Sequence, residues 1–172
     1  MIVGRVTALD SEMDLLTKGN EMFDIHDLRS IIMLNYLTDE MLEKLIKITS
    51  LVEFRAGEYI YRERQYAEHL YSIVEGKVAL EAEKDSSSSF FVEQLDKGRT
   101  TGFSALLDTE YRKYLGHAKA MTDVKLFCWR ASELEKLLTE NYEMGFLLMR
   151  RIANIIDRRL QVVKAQLVEV HR

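Results

Sequence analysis

The chain reads as a mainly β domain, an antiparallel sandwich or barrel with flanking α-helices and a long helix towards its C-terminal end. Three observations predict this. Between residues 51 and 129, short β-rich runs recur at even spacing, broken by glycine or polar turns. From Ser132 onward the apolar period becomes helical. The length, 172 residues at 47% hydrophobic and 30% charged, suits one core with an extra helix or two.

Residues 1 to 20 carry no clean period, and Gly19-Asn20 reads as a turn. A short helix is expected from Asp24 to Asn35. Another starts at Thr38, its expected N-cap, and its apolar positions Met41, Leu42, Leu45, Ile46 and Ile48 have helical spacing. The predicted strands are Leu51–Phe54, Tyr59–Tyr61, His69–Val74, Lys77–Ala82, Phe90–Leu95, Gly116–Met121 and Val124–Trp129. The serine tract at 86–89 reads as a hairpin tip, where no core has to be served. The chain has no proline, so its turns depend on glycine, aspartate and serine. Ser132 with Glu135 has the pattern of a capping box ahead of Leu134, Leu137 and Leu138. This divides the chain into an N-terminal helical segment (1–50), a β-barrel (51–131) and C-terminal helices (132–172).

The last helix runs from about Tyr142 to Val170. Its apolar series is Tyr142, Phe146, Met149, Ala153, Ile156, Leu160, Val163, Leu167 and Val170, with steps alternating four and three. A strict 3.5-residue repeat is the pattern of a supercoiled seam with a partner helix. Left exposed in a monomer, it would be a long apolar ridge. Homodimerisation through Phe146, Met149, Ala153, Ile156, Leu160, Val163 and Leu167 is therefore expected. The alternative lays the first part of the helix on the barrel and pairs only the tail from Ile156. The same stretch is locally basic, six Lys or Arg from Arg150 to Arg172 against Asp157 and Glu169, which reads as a solvated face.

Composition narrows the function classes. The net charge of −4 provides no bulk field towards nucleic acid or anionic lipid. One cysteine, Cys128, excludes an internal disulfide and reads as a small buried hydrophobe in a strand. No basic-then-apolar leader and no run near the ~20 apolar residues of a membrane span occur, so a soluble cytoplasmic protein is expected. His26, His69, His117 and His171 are scattered without ligand spacing, and no CxxC, GxSxG or GxxxxGK[ST] pattern occurs. No catalytic residue, metal or cofactor is expected.

An ordered set of short motifs carries a family resemblance. Its members are Phe54-Arg55-Ala56-Gly57-Glu58, Ile60, the run from Ala67 to Val78 containing Val74-Glu75-Gly76-Lys77, Gly98, Gly102-Phe103-Ser104-Ala105-Leu106-Leu107 and Thr122-Asp123-Val124. With the helices after Ser132, this set resembles the cyclic nucleotide-binding domain of catabolite-activator and FNR-type transcription regulators, from about Phe23 to Arg159. The resemblance implies a double-stranded β-helix, or jelly-roll, barrel with flanking helices, a signal-transduction role and, commonly, dimerisation through the long helix. FNR-type iron–sulfur cysteines are missing. Such regulators also carry a winged helix-turn-helix after the long helix. With no residues beyond Arg172 to place one, direct nucleic-acid binding by this polypeptide is not expected, a reading that a longer gene product would change.

The resemblance also locates a departure. The family's phosphate-binding cassette places a glutamate, for the ribose hydroxyl, directly after the glycine matching Gly102. It places an arginine, for the phosphate, where this chain has Tyr114. The glutamate position is Phe103. The small and hydroxylated residues after the arginine become Gly116 and His117. The degenerate site thus comprises Gly102, Phe103, Ser104, Ala105, Arg112, Lys113, Tyr114, Gly116 and His117. A buried phosphate needs a paired cation or a dense set of donors, so cAMP or cGMP in the usual pose is not expected. Three substitutes remain open: Arg112 or Lys113 swung inward, His117 facing the pocket, or Arg99 near the cassette. The aromatic pair would either fill the cavity or favour an apolar ligand. Two functions stay in view. One is a dimeric, non-enzymatic regulatory domain that acts on a protein partner. The other is a sensor of a non-classical nucleotide or other small acidic or apolar ligand, signalling through the C-terminal helix to a partner protein or DNA-binding module.

Overall fold

The computed structural model describes residues 23–85, 88–107 and 111–170. The expectations for residues 1–20, Ser86 and Ser87 lie outside the described residues, as do the side chains of Leu167 and Val170.

Helix α1 (Ile25–Arg29) begins at Asp24, whose carboxylate accepts from the backbone N–H groups of His26 and Asp27 while Asp27 reaches back to the Asp24 N–H. The expected helix over Asp24–Asn35 is shorter than its periodicity suggests. The Ile32 N–H donates to Gly98 O at 2.9 Å, outside the helix, and the chain continues as a 3-10 turn, Ile32–Leu34. Helix α2 (Asp39–Leu45) has the expected cap, with Thr38 Oγ1 accepting from Met41 N.

Among the described residues, eight strands form two four-stranded antiparallel sheets. They are β1 (Ser50–Phe54), β2 (Tyr59–Tyr61), β3 (His69–Glu75), β4 (Val78–Asp85), β5 (Ser88–Leu95), β6 (Thr100–Thr101), β7 (His117–Ala120) and β8 (Val124–Arg130). One sheet has the order β1-β8-β3-β6 and the other β2-β7-β4-β5, so neighbours in sequence repeatedly fall in opposite sheets, a jelly-roll arrangement. Seven strands match the sequence expectation within a few residues. The eighth, β6, is two threonines paired with β3, too short to show any period.

Strand β8 is central to its sheet and buried along nearly its whole length. Phe127 meets Phe23 at 5.1 Å between ring centroids, and the Trp129 indole N–H donates to Thr49 Oγ1, so one face of β8 is covered by the N-terminal segment. Cys128, on the opposite face, lies beside Tyr71 inside the barrel. This is why the strand reads as a continuous apolar run rather than an alternating one.

Helix α3 (Ala131–Glu140) follows β8 directly, and helix α4 (Tyr142–Val170) follows α3. The capping box expected at Ser132 does not form. The Ala131 N–H donates to Glu68 O at 2.7 Å, which turns the chain one residue earlier, and Arg130 takes the N-cap position, where its side chain makes no capping hydrogen bond. Helix α4 packs through Met144, Leu148 and Ile152, which are buried. Its 3.5-residue apolar series points elsewhere: Phe146, Met149, Ile156, Leu160 and Val163 are 38–66% exposed, and Ala153 is exposed too.

Gly76 closes the β3–β4 turn at φ +87°, and a Cβ there would lie 2.3 Å from Asp123 O. Gly76→Ala combines left-handed strain with a backbone collision, and is expected to destabilise the fold by about 2–3 kcal/mol, read as a lower urea midpoint.

Candidate functional site

The cassette begins where β6 ends. Gly102 takes φ +88° and ψ +20°, which reverses the chain into a 3-10 turn, Phe103–Leu106. A Cβ on Gly102 would meet His69 O at 2.8 Å and the Tyr114 ring at 3.5 Å. Glycine is therefore required twice here, for the left-handed backbone and for the close approach of β3.

Tyr114 lies against that bare face. It is 3% exposed, and its hydroxyl donates to His69 O at 2.8 Å and accepts from His69 N at 3.2 Å. Its ring stacks on Tyr61 at 3.9 Å between centroids and 15° between planes, and Tyr61 stacks on Tyr71 at 6.1 Å and 26°. Tyr61 belongs to one sheet and Tyr71 to the other, so the three rings cross the barrel interior. The Tyr61 hydroxyl bonds Thr101 Oγ1 and faces the Gly102 backbone N–H. The backbone group best placed to meet an anion at the start of the cassette turn thus already faces a phenol oxygen.

Burial pushes all three phenols up from their ordinary value. The Cys128 thiol, also buried, is raised to about 12. The interior thus favours neutral side chains and opposes an unpaired anion.

The arm that carries Tyr114 is tied down through its backbone. Tyr114 N donates to Gln65 O, Arg64 N donates to Tyr114 O, and Ala67 N donates to Arg112 O, all within 3.0 Å. Arg112 takes φ +39°, and its guanidinium pairs with Glu135 on α3. Lys113 is exposed, with its ammonium 5.6 Å from the Tyr111 ring. His117 Nδ1 accepts from Glu63 N at 3.0 Å, and its ring lies edge-on to Tyr59. Gly116 lies against the β4 backbone, where a Cβ would be 2.7 Å from Glu81 O. The structure therefore gathers Gly102, Phe103, Ala105 and Tyr114 at the barrel core, with Ser104 half-buried beside them. Arg112, Lys113, Gly116 and His117 lie around this core with partners of their own or towards solvent.

One residue outside the expected set belongs to this region. Arg159, on α4, donates to Thr100 O at 2.7 Å and to Glu93 at 3.1 Å, with its guanidinium 5.2 Å from the centroid of the Phe103 ring. Burial lowers its pKa, and the Glu93 carboxylate opposes that shift. The basic tail is thus not wholly a solvated face. Its helical spacing placed Arg159 beside the apolar series but could not show that it reaches the cassette.

Among the described residues, no group of three or more His, Cys, Asp or Glu is placed to hold a metal ion, and no helix is long and apolar enough to cross a membrane.

A family model, the cyclic nucleotide-binding domain, matches residues 51–141. The chain belongs to the cyclic nucleotide-binding domain family. Among solved structures, a protein of Geobacter metallireducens GS-15 described as cyclic nucleotide-binding is 27% identical, with a TM-score of 0.69 over 81% of this chain and 99% of that one. The sensor domain of the transcriptional regulator DNR from Pseudomonas aeruginosa is 20% identical, with a TM-score of 0.64 over 79% and 90%. The regulatory subunit of a cAMP-independent protein kinase A from Trypanosoma brucei is 24% identical, with a TM-score of 0.64 over 80% and 46%. These last two likenesses concern the fold. No match was found among curated protein sequences. Within the cyclic nucleotide-binding domain family, the jelly roll and the cassette turn at Gly102 are present here, with a tyrosine stack in the barrel interior.

Two outcomes follow. Tyr114→Phe removes both buried hydroxyl bonds to the His69 backbone, so stability is expected to fall by about 1–3 kcal/mol in chemical denaturation. The folded protein also retains thiol and phenol protons that the unfolded chain releases. Stability that is fully present below pH 9, the ordinary thiol value, is therefore expected to be lost as pH rises towards about 12, in urea titrations across that range.

Proposed function

We propose that this protein is a non-enzymatic regulatory domain that does not take cAMP or cGMP in the family's usual pose and acts as a dimer through the exposed face of α4. The observation that carries the first part is the Tyr114 ring, stacked on Tyr61 and bonded to the His69 backbone at the position of the family's phosphate arginine. A cyclic nucleotide would have to displace that ring and meet Phe103 in place of a carboxylate. Its phosphate would then lack a guanidinium, a buried charge contact worth about 2–5 kcal/mol when one partner is removed. Arg112 is held by Glu135, so bringing it inward would break that pair. The trypanosomal fold neighbour belongs to a cAMP-independent kinase, so the barrel is compatible with a role that does not depend on that nucleotide.

The dimer reading is supported by the separation of faces on α4. Met144, Leu148 and Ile152 satisfy the barrel side, and the 3.5-residue series lies on exposed positions beyond it. Helix α4 runs 29 residues, about 43 Å at 1.5 Å per residue, long enough for several layers of knobs-into-holes packing. In this reading the output passes through helix pairing to a protein partner.

Titration calorimetry with cAMP and cGMP is expected to give no saturable heat up to millimolar concentration. Sub-millimolar binding of either would overturn the first part of the proposal. Leu160→Glu places a carboxylate in the seam and is expected to halve the mass seen by sedimentation equilibrium at micromolar protein, whereas an unchanged mass would reject the α4 dimer.

A further inference from the structure

A cleft of about 390 Å³ opens between α4 and the turn joining β5 to β6. Its size falls in the range of small-ligand sites. It differs in charge from the rest of the protein. Arg99, Arg151, Arg158 and Arg159 line it against a single carboxylate, Glu93, in a chain whose net charge is −4. The cleft also has an apolar side formed by Ile32, Met33, Ile155 and Val162. Of these, Ile32 and Val162 remain 38% and 44% exposed.

One of the arginines lacks full compensation among the described residues. The Arg151 Nε–H is buried without a hydrogen-bond partner, and its guanidinium lies 4.8 Å from the Tyr36 ring, a contact that supplies no acceptor oxygen. Arg159 is paired with Glu93 and Thr100 O, which leaves the charges of Arg99, Arg151 and Arg158 to face the opening. A set of cations converging on an opening, with one buried donor unsatisfied, is the chemistry of an anion site.

We infer that this cleft binds an organic anion: a phosphate, sulfonate or carboxylate group held by Arg99, Arg151 and Arg158, attached to a flat apolar body lying on Ile32, Ile155 and Val162. The site is separate from the cassette and does not depend on dimerisation. Arg159 connects it to the cassette, because the same guanidinium bonds Thr100 O and covers Phe103. The helix positions that face the cleft, among them Arg151, Asn154, Arg158 and Val162, lie next to the exposed series of Ala153, Ile156, Leu160 and Val163. An occupant would therefore fix the angle of α4 on the barrel, the variable that a partner helix would read.

The test is titration of ¹⁵N-labelled protein with 1-anilinonaphthalene-8-sulfonate, an aromatic sulfonate, followed by amide shifts. Saturable shifts are expected at Gly98, Thr100, Asn154 and Gln161, with Gly116 and Ala118 unmoved. Arg99 and Arg158 are exposed, so Arg99→Glu/Arg158→Glu is expected to keep the native spectrum and weaken binding at least tenfold. Inorganic phosphate, which lacks the apolar body, is expected to bind at least tenfold more weakly than the sulfonate. Leu160→Glu is expected to bind the probe as wild type does, so that failure of the dimer and failure of this site are told apart. Shifts confined to the exposed face around Phe146 and Leu160, equal affinity in the charge-reversed variant, or phosphate binding as tightly as the sulfonate would each overturn the inference.

Discussion

The contact between the Tyr114 hydroxyl and the His69 backbone holds the centre of this structure. It closes both hydrogen-bonding groups of His69 where β3 passes under the cassette, and it fixes the outer ring of a stack that continues through Tyr61 to Tyr71. Because Tyr61 and Tyr71 belong to different sheets, the stack braces the barrel across its interior. Gly102 makes the arrangement possible, since a Cβ there would collide with the β3 backbone at His69 O. The same contact determines what the interior can accept. Large aromatic rings in offset contact bury considerable area and exclude water, and a dry interior that raises the pKa of every phenol and thiol in it opposes a free anion.

The brace also bears on the cassette arm. Here that arm is already bonded to the 64–67 segment, and its core position is filled by a side chain of the chain itself. Arg159 makes a contact from helix to barrel, joining α4 to β5 through Glu93 and to β6 through Thr100 O. The arginine-lined cleft and the exposed apolar series share one helix there, on neighbouring faces.

Much of this was legible in the amino-acid order. The strands announced themselves because glycine and polar turns cut the β-rich runs at regular intervals. Phe103 and Tyr114 were read as aromatic replacements through the family resemblance, and both are buried in the structure. The apolar series on α4 was readable because a 3.5-residue repeat persists over several turns. Three features were not readable. Strand β6 is two residues long and has no period. The break in the first helix comes from Gly98 O, a group about 66 residues away in sequence from the Ile32 N–H that it accepts. The start of α3 follows from Glu68 accepting the Ala131 N–H, which overrides the local capping signal at Ser132.

Local order alone therefore determined the fold class and the glycine turns, because these depend on period and turn chemistry along the chain, whereas the register that sets the Phe103 and Tyr114 rings at the family's charged positions rests on the resemblance. Tertiary structure decided where the rings go and which arginine matters. Whether Tyr114 fills the barrel or swings out depends on bonds to β3 and to the 64–67 segment. Arg159 reaches Thr100 only because α4 is packed through the buried Met144, Leu148 and Ile152, against α3 and the turn at Ile32–Leu34. Those are distances between segments remote in sequence, and periodicity within any one segment carries no information about them.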